Sequence, residues 1–419
     1  MNLFIKALKV QTIFIVLILN NLCNGQNDNM SSITEFKIIA DQTINGSIIL
    51  EPELPENGKY PAGTVVTITA TPDSGYLFDA CYYTLADKRD RFYESTTSNV
   101  FKVIVDQDKH VGASFIEKEA LENLTVKHNI VYAKPGVKEL KYDVFAPKGA
   151  KNLPIVIIVH GGGWRFNNED IMRGLAWELA KTGDYIVCSI DYRWMGKLDG
   201  DSIPNTIADL IGDVYGAIVH IQENAKKYGG DPTRIAITGD SAGGHLCASA
   251  ANMTNMIGDR GFDKIPGVYE FMPTYIPKGK TVARIKSEIG NAVKVAAPSY
   301  GVFKSGDVKR HVYKGVKDSI YWADAIAPAS NIPDPGERQI PHLLLRGTED
   351  ELITHEMVQE YADALKAAGQ RVEYILVEGA DHAFFDWKPD PLTKKIFAKY
   401  GVPYAAKMKA FFDDVFYQK

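Results

Sequence analysis

A glycine-flanked serine between an apolar run and an alanine-rich stretch constrains this chain more than any other feature. Residues 234–238 are mostly apolar and β-branched, as in a buried strand, and residues 242–254 have the composition of a helix. Between them, Gly239, Ser241 and Gly243 form the pattern Gly-x-Ser-x-Gly. Side chains two residues before or after the serine would crowd so sharp a turn. The sequence therefore predicts a strand–turn–helix unit that lifts the serine hydroxyl above a sheet, at the N-terminus of a helix.

A triple glycine lies upstream of this serine, again at the end of an apolar strand. His160 is followed by Gly161, Gly162 and Gly163. Acyl transfer builds negative charge on a carbonyl oxygen, and preorganised backbone N–H groups stabilise that charge. The N–H groups of Gly162 and Gly163, together with that of Ala242, are predicted to form an oxyanion hole. A plain flexible turn is the alternative, which the presence of two motifs in this order disfavours.

A histidine and a carboxylate follow the last two predicted strands. His382 comes after residues 372–377, and Asp350 comes after residues 341–346. A serine hydroxyl needs a general base within hydrogen-bond reach, and histidine titrates near neutral pH. A carboxylate would orient the imidazole and stabilise its protonated form. The order of the chain thus predicts a catalytic triad of Ser241, His382 and Asp350.

Neighbouring polar residues are predicted to have supporting roles. Glu349 and Glu351 are interpreted as solvated neighbours of the acid, although either could replace it. Asp240 is expected to brace the turn by hydrogen bonds, and His160 to brace the glycine loop. His245 lies one helical turn beyond the serine.

These motifs resemble those of the α/β-hydrolases of the hormone-sensitive-lipase-like esterase group. Within that group, residues 121–419 are most similar to the bacterial acetyl-xylan and feruloyl esterases. The resemblance is carried by residues 160–164, 191–193, 239–246, 347–350 and 381–384. It departs from the family at residues 194–196 and in a long, loop-like segment at 255–291, both expected near the mouth of the site. It implies an esterase whose acyl group and sugar the sequence does not define.

The order of predicted elements after residue 121 supports this fold class. Apolar strand-like runs are expected at residues 125–132, 139–145, 154–160, 185–190, 234–238, 293–297, 341–346 and 372–377. Helical patterns are expected at residues 171–182, 206–228, 242–254, 354–368 and 402–417. Such alternation predicts a doubly wound, mostly parallel α/β sheet with its catalytic groups beyond the carboxyl ends of the strands.

Residues 1–25 have the layout of a secretory signal peptide. Lys6 and Lys9 precede the apolar run 13–19, which is too short to span a bilayer stably. Cleavage after Gly25 would leave the protein periplasmic, on the cell surface or secreted. Lipidation of Cys23 is the less favoured alternative, because a bulky leucine precedes it.

A small all-β domain is predicted at residues 33–118. Strand-like runs at 36–39, 46–50, 64–70 and 100–105 alternate with turn-forming residues. The segment resembles a repeat module of internalin-type and Bacteroides surface proteins, on residues 60–64, 70–72, 75–78 and 111–115. That resemblance implies a spacer or surface adaptor. A sugar-binding role is less favoured, because no cluster of exposed aromatic residues is evident.

Composition limits the remaining possibilities. The net charge of −5 argues against a nucleic-acid partner, and no later stretch is apolar enough for a membrane span. Cys81, Cys188 and Cys247 lack paired spacing and are interpreted as buried thiols. No metal-ligand cluster or phosphate-binding glycine loop is present, so neither a metal nor another cofactor is expected.

The sequence therefore predicts an exported serine esterase that removes acetyl, other short acyl or feruloyl groups from polysaccharides such as xylan. An amidase or formamidase on the same scaffold, and a non-catalytic surface-binding protein, remain alternatives. Trp164, Trp194 and Trp322 could wall an acyl or sugar pocket or belong to the core. The oligomeric state is left open.

Overall fold

The computed structural model of the protein describes residues 34–87, 93–314, 320–388 and 390–417. The predicted signal peptide at residues 1–25 lies outside these ranges. The described residues form two groups of strands, one on each side of a short helical connection.

Eight strands in two small sheets make up the N-terminal β-rich region. They are β1 (Glu35–Ala40), β2 (Gly46–Glu51), β3 (Lys59–Pro61), β4 (Val65–Pro72), β5 (Tyr76–Leu85), β6 (Tyr93–Thr96), β7 (Val100–Ile104) and β8 (Lys109–Glu117). One sheet has the order β3-β1-β8-β5-β6 and the other the order β2-β4-β7. Alternate residues of β4, such as Val66 and Ile68, are fully buried between the sheets, as a period of two requires.

A second set of eight strands forms one large sheet. They are β9 (Leu124–Ala133), β10 (Leu140–Pro147), β11 (Leu153–Val159), β12 (Ile186–Ile190), β13 (Gly230–Asp240), β14 (Val293–Ser299), β15 (His342–Gly347) and β16 (Val372–Val377). The order is β16-β15-β14-β13-β11-β12-β10-β9. The six strands β16, β15, β14, β13, β11 and β12 pair in parallel along this order. Strand β10 is antiparallel to both of its neighbours, β12 and β9. This mostly parallel sheet is the predicted α/β-hydrolase fold.

Most of the helices connect parallel strands of this sheet. They are α1 (Lys118–Leu121), α2 (Arg173–Ala180), α3 (Ile207–Asn224), α4 (Ala242–Asn252), α5 (Val282–Ala292), α6 (Ser305–Val312), α7 (Ile320–Ile326), α8 (His355–Ala367), α9 (Pro391–Ile396) and α10 (Val402–Phe416). Helix α3 begins with a reciprocal capping box between Thr206 and Asp209. Strand β11 is apolar throughout and almost wholly buried, as expected for a strand covered on both faces.

The segment 255–291 is not a continuous loop, and that part of the interpretation was wrong. Helix α5 occupies its end, where the side chain of Thr281 accepts a hydrogen bond from the N–H of Arg284 as the N-terminal cap. Ile285 and Ile289 are buried on one face of this helix, one turn apart. The prolines that suggested a loop all precede the helix, where they do not interrupt its hydrogen bonds.

Within the described ranges, no helix has both the length and the apolar character needed to cross a membrane.

Candidate active site

Ser241 lies between the end of β13 and the start of α4, as predicted. Its φ of +52° falls in a region that non-glycine residues rarely adopt. A Cβ atom added at Gly239 would lie 2.6 Å from the carbonyl oxygen of Val159, and one added at Gly243 only 2.1 Å from it. No side chain would fit at either glycine, because the end of strand β11 lies so close to them. This close approach holds the serine turn in place.

The structure brings Ser241, His382 and Asp350 into one hydrogen-bonded chain. The Nε2 atom of His382 lies 2.9 Å from the Oγ atom of Ser241. Its Nδ1 atom lies 2.8 Å from Oδ2 of Asp350. A carboxylate only accepts, so Nδ1–H donates to Asp350, and Nε2 of the neutral ring is left to accept from the serine hydroxyl. The arrangement can take a proton from Ser241 and return it.

Asp350 is held rigidly behind the imidazole. Its side chain is buried, and its Oδ1 atom accepts hydrogen bonds from the N–H groups of Leu352 at 3.0 Å and Ile353 at 2.8 Å. Glu349 and Glu351 are exposed, as expected for solvated neighbours. Of these three acids, only Asp350 contacts the histidine.

The surroundings of His382 favour its protonated form. Burial alone would lower the pKa of His382, but the hydrogen bond and charge of Asp350 outweigh it and raise that pKa above its ordinary value. The nearby carboxyl groups of Asp240 and Asp386 act in the same direction when they are charged. The imidazolium that would form during proton transfer is thus stabilised from several sides.

Asp240 ties the serine turn to the glycine loop. Its Oδ1 atom accepts a hydrogen bond of 2.6 Å from the N–H of Gly161, while Oδ2 has no hydrogen-bond partner among the described residues. Burial, reinforced by the nearby carboxyl group of Asp386, raises the pKa of Asp240 to about 8. Asp240 therefore braces the turn, as predicted, and favours its neutral form.

The glycine loop presents unused backbone donors next to this turn. Gly162 and Gly163 have φ angles of +119° and +58°. Within the part of the chain that the structure describes, no hydrogen bond takes up the N–H groups of Gly162, Gly163 and Ala242. The N–H of Gly161 is already bound to Asp240. These three predicted oxyanion donors are thus available to a ligand.

His160 has the bracing role that was predicted for it. Its ring is fully buried and stacks on Tyr192, with 4.2 Å between ring centroids. The hydroxyl of Tyr192 donates to the carbonyl oxygen of His160 at 2.8 Å, and Nε2 of His160 lies 3.3 Å from Oδ1 of Asp191. The stacking and these hydrogen bonds fix the start of the glycine loop.

The three tryptophans have different environments. Trp164 is buried edge-on against His245, with 5.6 Å between ring centroids, and so belongs to the core. Trp194 is half-buried, and its Nε1–H donates to the carbonyl oxygen of Asn167 at 2.9 Å. Trp322 is 38% exposed and lines a cavity of about 580 Å³. Trp194 lines a different cavity, of about 600 Å³, so Trp194 and Trp322 each border a space large enough for part of a substrate.

Two residues beside the histidine, one buried and one partly buried, were not predicted from the sequence. The ring of Tyr300, just after β14, packs edge-on against His382 with 5.0 Å between centroids. Its hydroxyl accepts from the N–H of Phe385 at 3.2 Å. Asp386 lies four residues after the histidine, and burial raises its pKa. No sequence motif marks Tyr300, but the apolar residues around Asp386 could have indicated a carboxyl group partly withdrawn from solvent.

The cysteines and the side chains that could bind a metal ion are the remaining candidates from the sequence. Cys81, Cys188 and Cys247 are buried free thiols, as predicted. In residues 34–87, 93–314, 320–388 and 390–417, no group of three or more His, Cys, Asp or Glu side chains could hold a metal ion.

Solved structures share the hydrolase fold. A truncated carbohydrate esterase from gut microbiota aligns with a TM-score of 0.52 and 21% identity, covering 69% of this chain and 95% of that one. Esterase 2 of Thermogutta terrifontis aligns with a TM-score of 0.50 and 22% identity, covering 71% and 96%.

Sequence relatives are esterases by name. An isoprenylcysteine alpha-carbonyl methylesterase of Arabidopsis thaliana is 26% identical over 275 residues, 61% of this chain and 56% of the relative. Carboxylesterase NlhH of Mycobacterium tuberculosis is 33% identical over 141 residues, 33% of this chain and 42% of the relative. The chain thus spans about half the length of the relatives it matches.

Two family models match separate parts of the chain. The model of the divergent InlB B-repeat domain matches residues 36–119, in agreement with the β-rich N-terminal region. The BD-FAE model matches residues 142–365, which include Ser241 and Asp350. Because this second match covers more than half of the 419 residues, the chain belongs to the BD-FAE family.

Proposed function

We propose that the protein is a serine esterase that removes short acyl or feruloyl groups from polysaccharides such as xylan. The observation that carries this proposal is the chain of contacts from Ser241 through His382 to Asp350, at 2.9 Å and 2.8 Å. The names of the relatives support carboxylic ester hydrolysis, and the polysaccharide substrate is the finer part of the proposal.

In the first half of the reaction, the Oγ atom of Ser241 attacks the ester carbonyl carbon while Nε2 of His382 takes the hydroxyl proton. The carbonyl oxygen becomes an oxyanion and accepts hydrogen bonds from the free N–H groups of Gly162, Gly163 and Ala242. When the tetrahedral intermediate collapses, the bond to the alcohol oxygen breaks and His382 gives its proton to that oxygen. The alcohol leaves, and Ser241 carries the acyl group as an ester.

In the second half, a water molecule takes the place of the alcohol and the same steps run in reverse. His382 takes a proton from water as the water oxygen attacks the acyl carbon, and the oxyanion forms again in the same place. Collapse breaks the bond to Ser241, whose oxygen recovers the proton from His382. Throughout, Asp350 holds the imidazole in the required tautomer and stabilises its positive charge.

The cavity beside Trp322 supports a carbohydrate substrate. Met195 lines this cavity, and its N–H donates to the carbonyl oxygen of Trp164, next to the glycine loop, at 2.7 Å. The helix that carries Trp322 ends at Ile326, whose carbonyl oxygen lies 2.9 Å from Nε2 of His245. The wall of the cavity is therefore hydrogen-bonded to the glycine loop through Met195, and to helix α4 through the helix that carries Trp322. Aromatic and aliphatic side chains line it together with charged ones, a mixture that suits a sugar with its apolar faces and polar hydroxyls.

The substrate is tested by incubating the protein with acetylated and feruloylated xylans and identifying the acids released. Release of acetate or ferulate by the wild type, and not by Ser241→Ala, is expected. Cleavage of N-formyl amides without cleavage of p-nitrophenyl acetate would instead favour an amidase. Faster hydrolysis of p-nitrophenyl octanoate than of the acetate would favour a lipase.

Export belongs to the same proposal, because a polysaccharide substrate is met outside the cell. The match of residues 36–119 to a repeat domain related to that of bacterial surface proteins supports it. N-terminal sequencing of the protein recovered from a bacterial host should begin at Gln26. A protein that keeps Met1 and stays in the cytoplasm would contradict export.

A further inference from the structure

Buried polar contacts join the N-terminal β-rich region to the hydrolase fold. The Nη2 atom of Arg173, at the start of α2, lies 3.3 Å from Oδ1 of Asp79 in β5. Arg173 is 1% exposed and Asp79 is 7% exposed. The hydroxyl of Ser114 in β8 donates to Oδ2 of Asp79 at 2.6 Å, and Nζ of Lys394 in α9 donates to that hydroxyl. The contact therefore connects two strands of the small sheets with two helices of the hydrolase fold.

The burial of these charges makes the contact specific. Taking a charged group out of water costs several kcal/mol unless a partner compensates for it. Arg173 also lies 2.8 Å from Oδ1 of Asp170, so the guanidinium is shared between a carboxylate of its own unit and one of the N-terminal region. A domain that served only as a spacer would not need this contact, because a flexible connection would leave the facing surfaces of both units exposed to water.

The same hydrolase residues pack against the segment that follows His382. Next to Arg173 lies Gly174, where an added Cβ atom would come within 2.9 Å of the rings of Trp387 and Phe397. The N–H of Trp387 donates to the carbonyl oxygen of Ile171 at 2.7 Å. From α9, Nζ of Lys394 lies 5.3 Å from the centre of the Trp387 ring. Trp387 is thus held from both sides by elements that the N-terminal region contacts.

Only four residues separate Trp387 from His382, and the segment between them is tightly packed. Phe384 and Phe385 are almost wholly buried, and the N–H of Asp386 donates to the carbonyl oxygen of Ala383 at 3.0 Å. A close-packed segment of this kind transmits a displacement at one end to the other. A shift of Trp387 would therefore alter the distance between His382 and Ser241.

We propose that the N-terminal β-rich region is a positioning element for His382, and that Asp79 and Ser114 are its positioning residues. The region would then act on the hydrolase fold as part of one assembly, beyond the spacer role that its resemblance implies. The proposal rests on the proposed esterase function only in so far as one of its two tests measures ester hydrolysis.

The test uses the full chain with Asp79→Asn and Ser114→Ala, and Asp106→Asn as the matched control. Asp106 lies in the same region and is 59% exposed, and it pairs with Lys109 of that region instead of with a helix of the hydrolase fold. Active sites are counted by phosphorylation of Ser241 with diethyl p-nitrophenyl phosphate, so that unfolded protein does not enter kcat. For Asp79→Asn, kcat on p-nitrophenyl acetate should fall about tenfold, since misplacement of a catalytic group by about 1 Å costs up to about 10²-fold. KM should stay unchanged, and Asp106→Asn should behave as the wild type.

A second readout does not depend on hydrolysis. The titration of the His382 imidazole is followed by NMR of ¹⁵N-histidine-labelled protein, with His382→Gln identifying the signal. A shifted titration in Ser114→Ala is expected, because the hydrogen bond to Asp350 changes when the ring moves. An unchanged titration and an unchanged kcat per active site in both variants would overturn the proposal and leave the esterase function standing. A wild type that hydrolyses no ester would overturn that function, and the NMR titration would still decide the positioning role.

Discussion

The carboxyl group of Asp240 accepts a 2.6 Å hydrogen bond from the N–H of Gly161, across 79 positions of sequence. The turn that carries Ser241 and the loop that carries the free donors are therefore one rigid unit. The contact also selects among the three glycines, because it uses the first N–H and leaves those of Gly162 and Gly163 for a ligand.

Removal of the Asp240 side chain should weaken both stability and turnover. Asp240→Ala leaves the buried N–H of Gly161 without a partner, which costs about 1–3 kcal/mol in the free energy of unfolding. Asp240→Asn keeps an acceptor oxygen and should lose much less. Urea unfolding and kcat on p-nitrophenyl acetate measure the two effects. Equal losses in both variants would mean that the hydrogen bond to Gly161 does not hold the loop.

The raised pKa of Asp240 should appear in the pH dependence of stability. In the unfolded chain an aspartate loses its proton near pH 4, whereas burial keeps Asp240 protonated up to about pH 8 in the native state. Between these values the native state binds more protons than the unfolded state, so the free energy of unfolding falls as pH rises. Asp240→Asn should show a smaller fall between pH 5 and pH 8. Urea titrations with parallel pH dependence in both proteins would contradict this assignment.

The sequence allowed prediction of the local parts of the site. Each predicted triad residue directly follows a strand, and the carboxyl ends of parallel strands meet at one edge of a sheet, so Ser241, Asp350 and His382 could be placed together. Contacts between distant segments carry no such pattern. Nothing in the sequence around Asp79 or Arg173 indicates that they meet, and the contact depends on how the N-terminal β-rich region packs against the hydrolase fold. Helix α5 was missed because the prolines before it obscured its apolar period.

Asp350→Asn should lower kcat and move the pH profile. By analogy with known triads, kcat should fall by about 10⁴-fold, because the amide no longer selects the required tautomer. The carboxylate also raises the pKa of His382. Its loss should therefore shift the acid limb of the residual kcat/KM profile to lower pH, because the imidazole stays neutral further down. Glu349→Gln serves as the control, since Glu349 is exposed, and should keep wild-type activity. The assignment of the acid would be wrong if the two variants behaved the other way round.

Trp322→Ala should separate large substrates from small ones. The ring is 38% exposed in the cavity of about 580 Å³, and Tyr313 lies beside it with 6.2 Å between ring centroids. Tyr321→Ala is the matched control, because this neighbouring aromatic residue is 52% exposed but contacts Tyr269 instead of lining the cavity. Neither residue touches Ser241 or His382, so both variants should hydrolyse p-nitrophenyl acetate at the wild-type rate.

On acetylated xylo-oligosaccharides, the two variants should differ. Trp322→Ala should raise KM about tenfold, which corresponds to a loss of about 1.4 kcal/mol of binding free energy. Its kcat should change little, because the cavity contacts sugar units away from the reacting carbonyl and binds them equally in the ground and transition states. Tyr321→Ala should leave both constants unchanged. If Trp322→Ala affected the oligosaccharide and p-nitrophenyl acetate equally, the ring would instead support the fold around the serine, and the cavity would have no part in carbohydrate binding.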